Sequence, residues 1–345
     1  MKVLFIGGSG NISGAVSRLA ADRDIEVFHL NRGNRKFEYP GVTSIVGDMT
    51  KPEEATKALG DQHWDVVVNW IAFNPQDVRR DIKMFSGKTD QYIFISSASV
   101  YQKPLTHPIV TESTPLYNPF WDYSRDKIAC EEVLNQAYRD QNFPMTIVRP
   151  SLTYDTVIPV AIGSFEDYTI IDRMKKGKPV IVHGDGYSLW TVTHSKDFAK
   201  GFVGLLGNQQ AIGHDFHITS DEILTWNQIY EAVAEAAGVK ANIIHIATDF
   251  ICDVADKVGQ SWMRGNLHGD KAVSHIYDNT KIKTFVPDYV ATIPFRQGIK
   301  ETIQWFEAEP ERMLIVEENN DFMDAVIEAY QGDRKSTRLN SSHYS

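Results

Sequence analysis

MKVLFIGGSGNISG, residues 1 to 14, decides the fold of this chain. Val3 to Ile6 is a short apolar run, long enough for one buried parallel strand. It stops at Gly7-Gly-Ser-Gly10, and Ile12, Val16, Leu19 and Ala20 then recur with a helical period. Strand, glycine turn and helix in that order form the setting for a dinucleotide site. Glycines let the backbone approach a pyrophosphate, and a helix N-terminus offers unpaired N–H groups and a partial positive charge. Gly7, Gly10, Asn11 and Ile12 are the candidate contacts; a tight turn of any α/β protein is the competing reading.

Outward from this turn, strand candidates alternate with helical stretches: Glu26–Leu30, Thr43–Val46, Asp65–Asn69, Gln91–Ser96 and Thr146–Val148. The alternation predicts an α/β fold, a doubly wound parallel Rossmann-type sheet, with ligands gathering at the carboxyl ends of the strands. Gly7, Asn31, Asp48, Asn69, Ser97 and Arg149 all fall at or just beyond such ends. From about Ser151 proline and glycine become frequent and the elements shorten, which predicts a dinucleotide-binding domain over 1–150 and a smaller, mainly substrate-binding C-terminal lobe over 151–332, the boundary being approximate because the chain is expected to re-cross between the lobes. Helices are expected at Ser195–Leu206, Thr225–Ala237 and Gln297–Glu307, the last being the final well-packed one.

A second motif lies further along. Tyr123 and Lys127 stand four residues apart, so on a helix they share a face, and Ser97 lies upstream in a strand-end ISSASVY segment. Together they can act on a carbinol: a hydroxyl to orient it, a phenol to exchange its proton, an ammonium to make the phenol acidic. The bland alternative makes Tyr123 an interface aromatic, Lys127 a solvated charge and Ser97 a strand-end cap.

Gly7-x-x-Gly10-x-x-Ser13, Ser97, Tyr123 and Lys127, in this order and spacing, resemble the extended short-chain dehydrogenase/reductase superfamily in its NAD-dependent epimerase/dehydratase branch. The likeness runs from Met1 to about Glu309. The third glycine of that fingerprint is Ser13 here, small enough for close helix–sheet contact. The resemblance implies that Lys127 also anchors the nicotinamide ribose, that Asp48 and Met49 lie by the adenine, and that Asn69, Arg149 and Ser151 border the cofactor. Helix capping competes for Asp48. Trp70 and Ile71 are bulkier than that family's usual small-residue turn. Where an NAD-preferring site has an acidic residue after the second strand, this chain has Asn31, Arg32, Arg35 and Lys36, which leans the choice between NAD and NADP towards NADP. Lys127 and a positive nicotinamide are expected to lower the Tyr123 pKa from its ordinary value near 10.

Departures narrow the reaction. Ala98 and Ser99 follow Ser97 where the family's dehydratases carry acidic groups, so sugar 4,6-dehydration is disfavoured. Trp190 and the Leu267-His-Gly-Asp270 segment replace two arginines that grip a nucleotide diphosphate; Arg264, Lys271 and Arg173 are the candidate substitutes. Trp190 is either a core residue or a stacking surface, and His194 is read as packing.

Composition sets the bounds. Hydrophobic content of 42% and charged content of 23% are those of a globular chain, and no apolar run reaches membrane-spanning length. With no signal peptide and two cysteines, Cys130 and Cys252, without disulfide or metal spacing, a cytoplasmic protein with no metal is expected. A formal charge of −10 argues against nucleic acid. Asp333 to His343 reads DRKSTRLNSSH, the translation of a sequencing-library adapter, so 333–345 is expected to be an artefactual tail. A homodimer is implied by the resemblance, though the apolar face Ile128, Val133 and Leu134 would equally suit packing within one chain. The expected function is an NAD(P)-dependent oxidoreductase or epimerase acting on a carbohydrate-like secondary alcohol. The alternative is a non-catalytic, cofactor-binding member serving as redox sensor, scaffold or RNA-binding module.

Overall fold

The computed structural model describes residues 1–34, 37–163 and 165–341. Its centre is a seven-stranded sheet. The strands are β1 (Lys2–Ile6), β2 (Glu26–Asn31), β3 (Val42–Val46), β4 (Trp64–Asn69), β5 (Thr89–Ile95), β6 (Met145–Pro150) and β7 (Asp215–Ile218). All pair in parallel, in the order β7-β6-β5-β4-β1-β2-β3. The winding reverses at β1, where Val3 lies beside Val27 of β2 on one side and Val66 of β4 on the other. That switch point opens a crevice at the carboxyl ends, just where Gly7 and Trp70 leave their strands.

Both faces of the central strands are buried, though the edge strand β3 is largely exposed, and the period of two sorts the side chains. Val3, Phe5, Val66, Val68, Ile93 and Val148 pack with Val16 and Phe202 on one face. Leu4, Ile6, Val67, Phe94 and Ile147 pack with Ile82 and Leu134 on the other. The first face is covered by α1 (Asn11–Asp22), the second by α2 (Pro52–Leu59), α3 (Pro75–Phe85) and α4 (Asp122–Gln141). Leu134, one of the three residues offered for a dimer face, lies in this intrachain core, and Val133 packs against it.

The second half of the chain is not a separate body. After the strand Leu152–Tyr154 and helix α5 (Thr169–Lys175), helix α6 (Ser195–Leu205) returns to pack along α1, and β7 joins the main sheet. Residues 195–218 therefore pack with the first unit. Most of the remainder forms the second lobe: α7 (Trp226–Ala236), α8 (Thr248–Lys257), α9 (Trp262–Asn266), α11 (Phe295–Glu307) and α12 (Glu317–Ser341), whereas α10 (Thr280–Phe285) packs Ile282 into the core of the first unit beside α6 and β7. Thr225 caps α7 reciprocally with Gln228, which accounts for its sharp start. Contrary to expectation, α11 is not the last packed helix: Phe322, Met323, Val326 and Ile327 of α12 enter the second lobe's core. Among the described residues, no helix is long and apolar enough to cross a membrane.

Candidate active site

The glycine turn is built by its own residues. Gly7 has φ +84°, a left-handed conformation that L side chains avoid, and a Cβ there would lie 2.5 Å from Ile71 Cγ2. Ser13 then closes the turn: its hydroxyl accepts from the Gly10 N–H at 2.8 Å and donates to the Gly7 carbonyl at 3.2 Å. The departure from glycine at this position thus adds two bonds to the loop. Ser17 ties the turn to β2, donating to the Ser13 carbonyl at 2.8 Å and meeting His29 Nε2 at 2.7 Å. Burial drives the His29 pKa down to about 4, so the ring is neutral.

Helix α1 begins at this turn with a glycine N-cap, so apart from the Gly10 N–H, taken by Ser13, no side chain caps its first N–H groups, and its first turn holds no acidic residue. Its N–H groups and positive dipole end face the crevice unopposed, the chemistry a pyrophosphate requires. The site therefore fits a dinucleotide, which the backbone at Gly7, Gly10 and Ile12, lining the cleft, would hold. The Asn11 side chain is engaged otherwise: Nδ2 donates to the Thr153 carbonyl at 3.0 Å and Oδ1 accepts from the Thr156 N–H at 3.1 Å. It joins the turn to the second lobe.

Tyr123 and Lys127 lie on α4, and Ser97 at the exit of β5. One cleft of about 670 Å³ contains Gly7, Gly10, Ile12, Ser97, Tyr123 and Ser151. Two motifs more than a hundred residues apart thus share a cavity. A larger cleft of about 820 Å³ between α2 and α3, lined by Lys57, Trp64 and Lys88, lies at the amino ends of the strands. That is the wrong end of the sheet for the chemistry, and the volume does not make it the site.

The Tyr123 phenol is pushed up to about 12 by burial, with a hydrogen bond to Ser97 pulling it down and the Asp270 charge adding to the rise. The expectation that Lys127 would acidify it is not met in the protein alone. The buried Lys127 Nζ instead donates to the carbonyls of Ala72 at 2.7 Å and Ile95 at 2.8 Å, and sits 5.8 Å from the Tyr123 ring centre. Its own pKa is depressed to about 8, again by burial. Ser97 has a network that sequence reasoning missed. Its Oγ lies 2.9 Å from Ser99 Oγ, which accepts from the buried Ser124 hydroxyl at 2.7 Å. Asn118 fixes the same loop, donating to the Ser99 carbonyl at 2.8 Å and to the Gly269 carbonyl at 2.7 Å. The repeated serines of ISSASVY were the signal available.

Other candidates lie elsewhere. Asn69 is buried; its Oδ1 accepts from Ile71 N–H at 2.8 Å and its Nδ2 donates to Asp81, so it shapes the turn and does not face the crevice. Arg149 points inward: it makes a bidentate pair with Glu131 at 2.9 and 2.6 Å and a further one with Asp215 at 2.5 Å. Met49 is a core residue beside Leu30 and Ala55. Asp48 accepts from the Thr50 N–H at 2.9 Å and hydroxyl at 2.8 Å, capping a turn before α2, whose N-cap is Lys51. Asn31 accepts from the Gly33 N–H at 3.1 Å, Arg32 is exposed near Asp48, and Arg35 and Lys36 lie outside the described residues. Trp70 packs against Phe202, with ring centres 4.9 Å apart, while Ile71 lines the crevice over Gly7.

On the substrate side, Trp190 is buried, donates to the Lys271 carbonyl at 3.2 Å and contributes to the cleft wall. His194 caps α6, accepting from the Lys196 N–H at 3.2 Å, and is otherwise buried. Among the described residues, no group of His, Cys, Asp and Glu could hold a metal ion.

Comparison with known proteins agrees with this geometry. The model of the NAD dependent epimerase/dehydratase family matches residues 3–219. A 2'-dehydrokanamycin reductase from Streptomyces kanamyceticus is 28% identical over 73% of this chain and 71% of its own length. A chloroplast stem-loop binding protein of 41 kDa from Arabidopsis thaliana is 25% identical over 71% of this chain and 65% of its own. Among solved structures, a dTDP-glucose 4,6-dehydratase from Bacillus anthracis in complex with NAD superposes with a TM-score of 0.70 at 18% identity, over 90% of this chain and 98% of that one, a likeness of fold. With a strand–glycine–helix turn, Ser97 and Tyr123 at one crevice, Lys127 buried behind it, and a family match over residues 3–219, this chain belongs to the NAD dependent epimerase/dehydratase family, NAD(P)-binding enzymes of nucleotide-sugar and carbohydrate chemistry.

Proposed function

We propose that this enzyme reduces a carbohydrate-like ketone to a secondary alcohol, with Tyr123 as proton donor, and that the reverse oxidation uses the same residues. The observation carrying this reading is the placement of Tyr123 and Ser97 in the cleft of the glycine turn, with the phenol held protonated by burial. A neutral phenol is ready to give a proton and must be made basic to take one. The cofactor, when bound, supplies or accepts the hydride. Ser97 orients the substrate oxygen, and Ser99 and Ser124 hold Ser97 in place. Lys127, buried and anchored on the Ala72 and Ile95 carbonyls, would be the residue that holds the nicotinamide ribose. Ala98 and Ser99 offer no acid for expelling water, which disfavours 4,6-dehydration. NADP is the favoured cofactor, because neutral Asn31 and exposed Arg32 would not repel a 2′-phosphate. A homodimer is part of the reading, as is a cytoplasmic setting.

The test is cofactor absorbance during turnover in a screen of keto-sugars. Stoichiometric loss of NAD(P)H supports a reductase; conversion of substrate with no net change points to epimerisation; no turnover with any keto-sugar refutes both. Likeness to the chloroplast stem-loop binding protein favours RNA binding as a second reading. Against it stand the −10 charge and the intact Ser97, Tyr123 and Lys127 set. Filter binding with a stem-loop RNA separates the two.

A further inference from the structure

The substrate half of the cleft is aromatic and carries few charges. Among the described residues lining the cavity, Asp270 and Lys271 alone carry charge. They are paired: Lys271 Nζ donates to Asp270 at 2.7 Å, and the buried Lys103 ammonium also acts on Asp270. The other two cations that might have met an anion are committed. Arg173 is buried, donating to the Pro179 carbonyl at 2.7 Å and pairing with Asp324. Arg264 faces Asp253 and Asp256, each at 2.7 Å. The open end of α1 is the remaining positive feature, and it lies on the glycine-turn side.

A substrate diphosphate would therefore leave water without gaining a fork of donors, an expensive exchange. The walls offer something else. Trp262 is 56% exposed and Phe165 42% exposed, and both line the cleft, as do Trp121 and Met263. Aromatic surface left open in a cavity is what a ligand with an apolar face covers. Trp121 stands 4.9 Å from the Tyr123 ring, so a group lying on it adjoins the phenol. The Trp121 side chain is wedged in place: a Cβ on Gly265 would come within 2.8 Å of its Cδ1, and one on Gly269 within 2.8 Å of its Cβ.

We propose that the substrate is an uncharged, phosphate-free carbohydrate with a broad apolar face, a glycoside lying on Trp121 and Trp262, and not a sugar carried on a nucleoside diphosphate. This deepens the reading of the cleft as the active site and rests on it. The Asp270 carboxylate, already faced by two ammonium groups, gives no added preference for an amine.

The experiment uses the full chain saturated with NADP, so that the end of α1 is filled, and follows tryptophan fluorescence and calorimetric heat. Phenyl glucoside and phenyl galactoside are titrated against their methyl counterparts and against UDP, GDP and dTDP. The phenyl glycosides are expected to bind about ten-fold tighter than the methyl ones, and Trp262→Ala to remove that advantage. Phe165→Ala, on the same wall, is the second variant, should the first fail to fold. A nucleoside diphosphate binding the loaded enzyme with Kd below about 0.1 mM overturns the proposal. So does the absence of phenyl glycoside binding, or an advantage that survives both variants. Failure of the catalytic reading shows separately: Tyr123→Phe would then leave turnover intact while glycoside binding on Trp262 persists.

Discussion

Removing the Tyr123 hydroxyl is the most direct test of the chemistry. Burial raises this phenol from 10 to about 12 in the protein alone. At about 1.4 kcal/mol per pKa unit, ionising it costs up to about 3 kcal/mol more than in water, less whatever the cleft's solvent screens. At neutral pH Tyr123 is thus a proton donor, and Lys127, bonded to two carbonyls, does not change that without a ligand. In Tyr123→Phe the ring's packing survives and the donor disappears. A positioned acid contributes about 10²–10⁴-fold, so kcat should fall by that factor, or about 3–5 kcal/mol. Cofactor affinity should stay within a few-fold, because the glycine turn holds the dinucleotide. Stability should fall by about 1 kcal/mol for the lost Ser97 bond. The assay is NAD(P)H consumption with a keto-sugar found by screening, beside cofactor titration and urea unfolding. Activity within a few-fold of wild type would remove the tyrosine from its role. Ultraviolet titration of the ligand-free protein checks the electrostatics: a Tyr123 phenolate appearing below its ordinary range would contradict the burial argument.

Ser13→Ala should cost about 1–3 kcal/mol of stability and weaken cofactor binding, since it frees the Gly10 N–H and Gly7 carbonyl; unfolding and cofactor titration measure both. Gly265→Ala puts a methyl 2.8 Å from Trp121 Cδ1 and 3.1 Å from the Phe120 carbonyl, so kcat should drop by about ten-fold with little change in cofactor affinity, read by steady-state kinetics. Asp81 is buried and its carboxyl is raised to about 6, chiefly by desolvation, against hydrogen bonds from Tyr92 and Asn69. Because the folded protein holds that proton more tightly than the unfolded chain, its contribution to stability is present below about pH 4 and is lost as pH rises through 6, by up to about 3 kcal/mol. A ¹³C carboxyl titration of Asp81 with a midpoint below 4 would contradict this.

Much of the frame was legible because parallel strands buried on both faces are apolar throughout, and glycine interrupts them where a ligand comes close. Glu26–Leu30 and Asp65–Asn69 fall within β2 and β4 for this reason. β7 was not, since Asp215-Phe-His-Ile218 is short and flanked by polar residues, and its place was set by pairing with β6. The apolar set of α12 was masked by the acidic stretch at its start. Within the site, Arg149, Asn69 and Met49 stand at the right strand ends, but side-chain direction depends on partners distant in sequence, Glu131 and Asp81 among them.

Sequence by itself determined that a glycine turn follows a buried strand, and that a tyrosine and a lysine share one face of a helix, because both are local consequences of backbone geometry. Tertiary structure alone decided that the glycine turn and Tyr123 meet in one cleft, that burial raises the phenol's pKa, and that Lys271, Arg173 and Arg264 are already paired. Those are properties of solvent exclusion and of contacts between residues far apart along the chain, which no local pattern encodes.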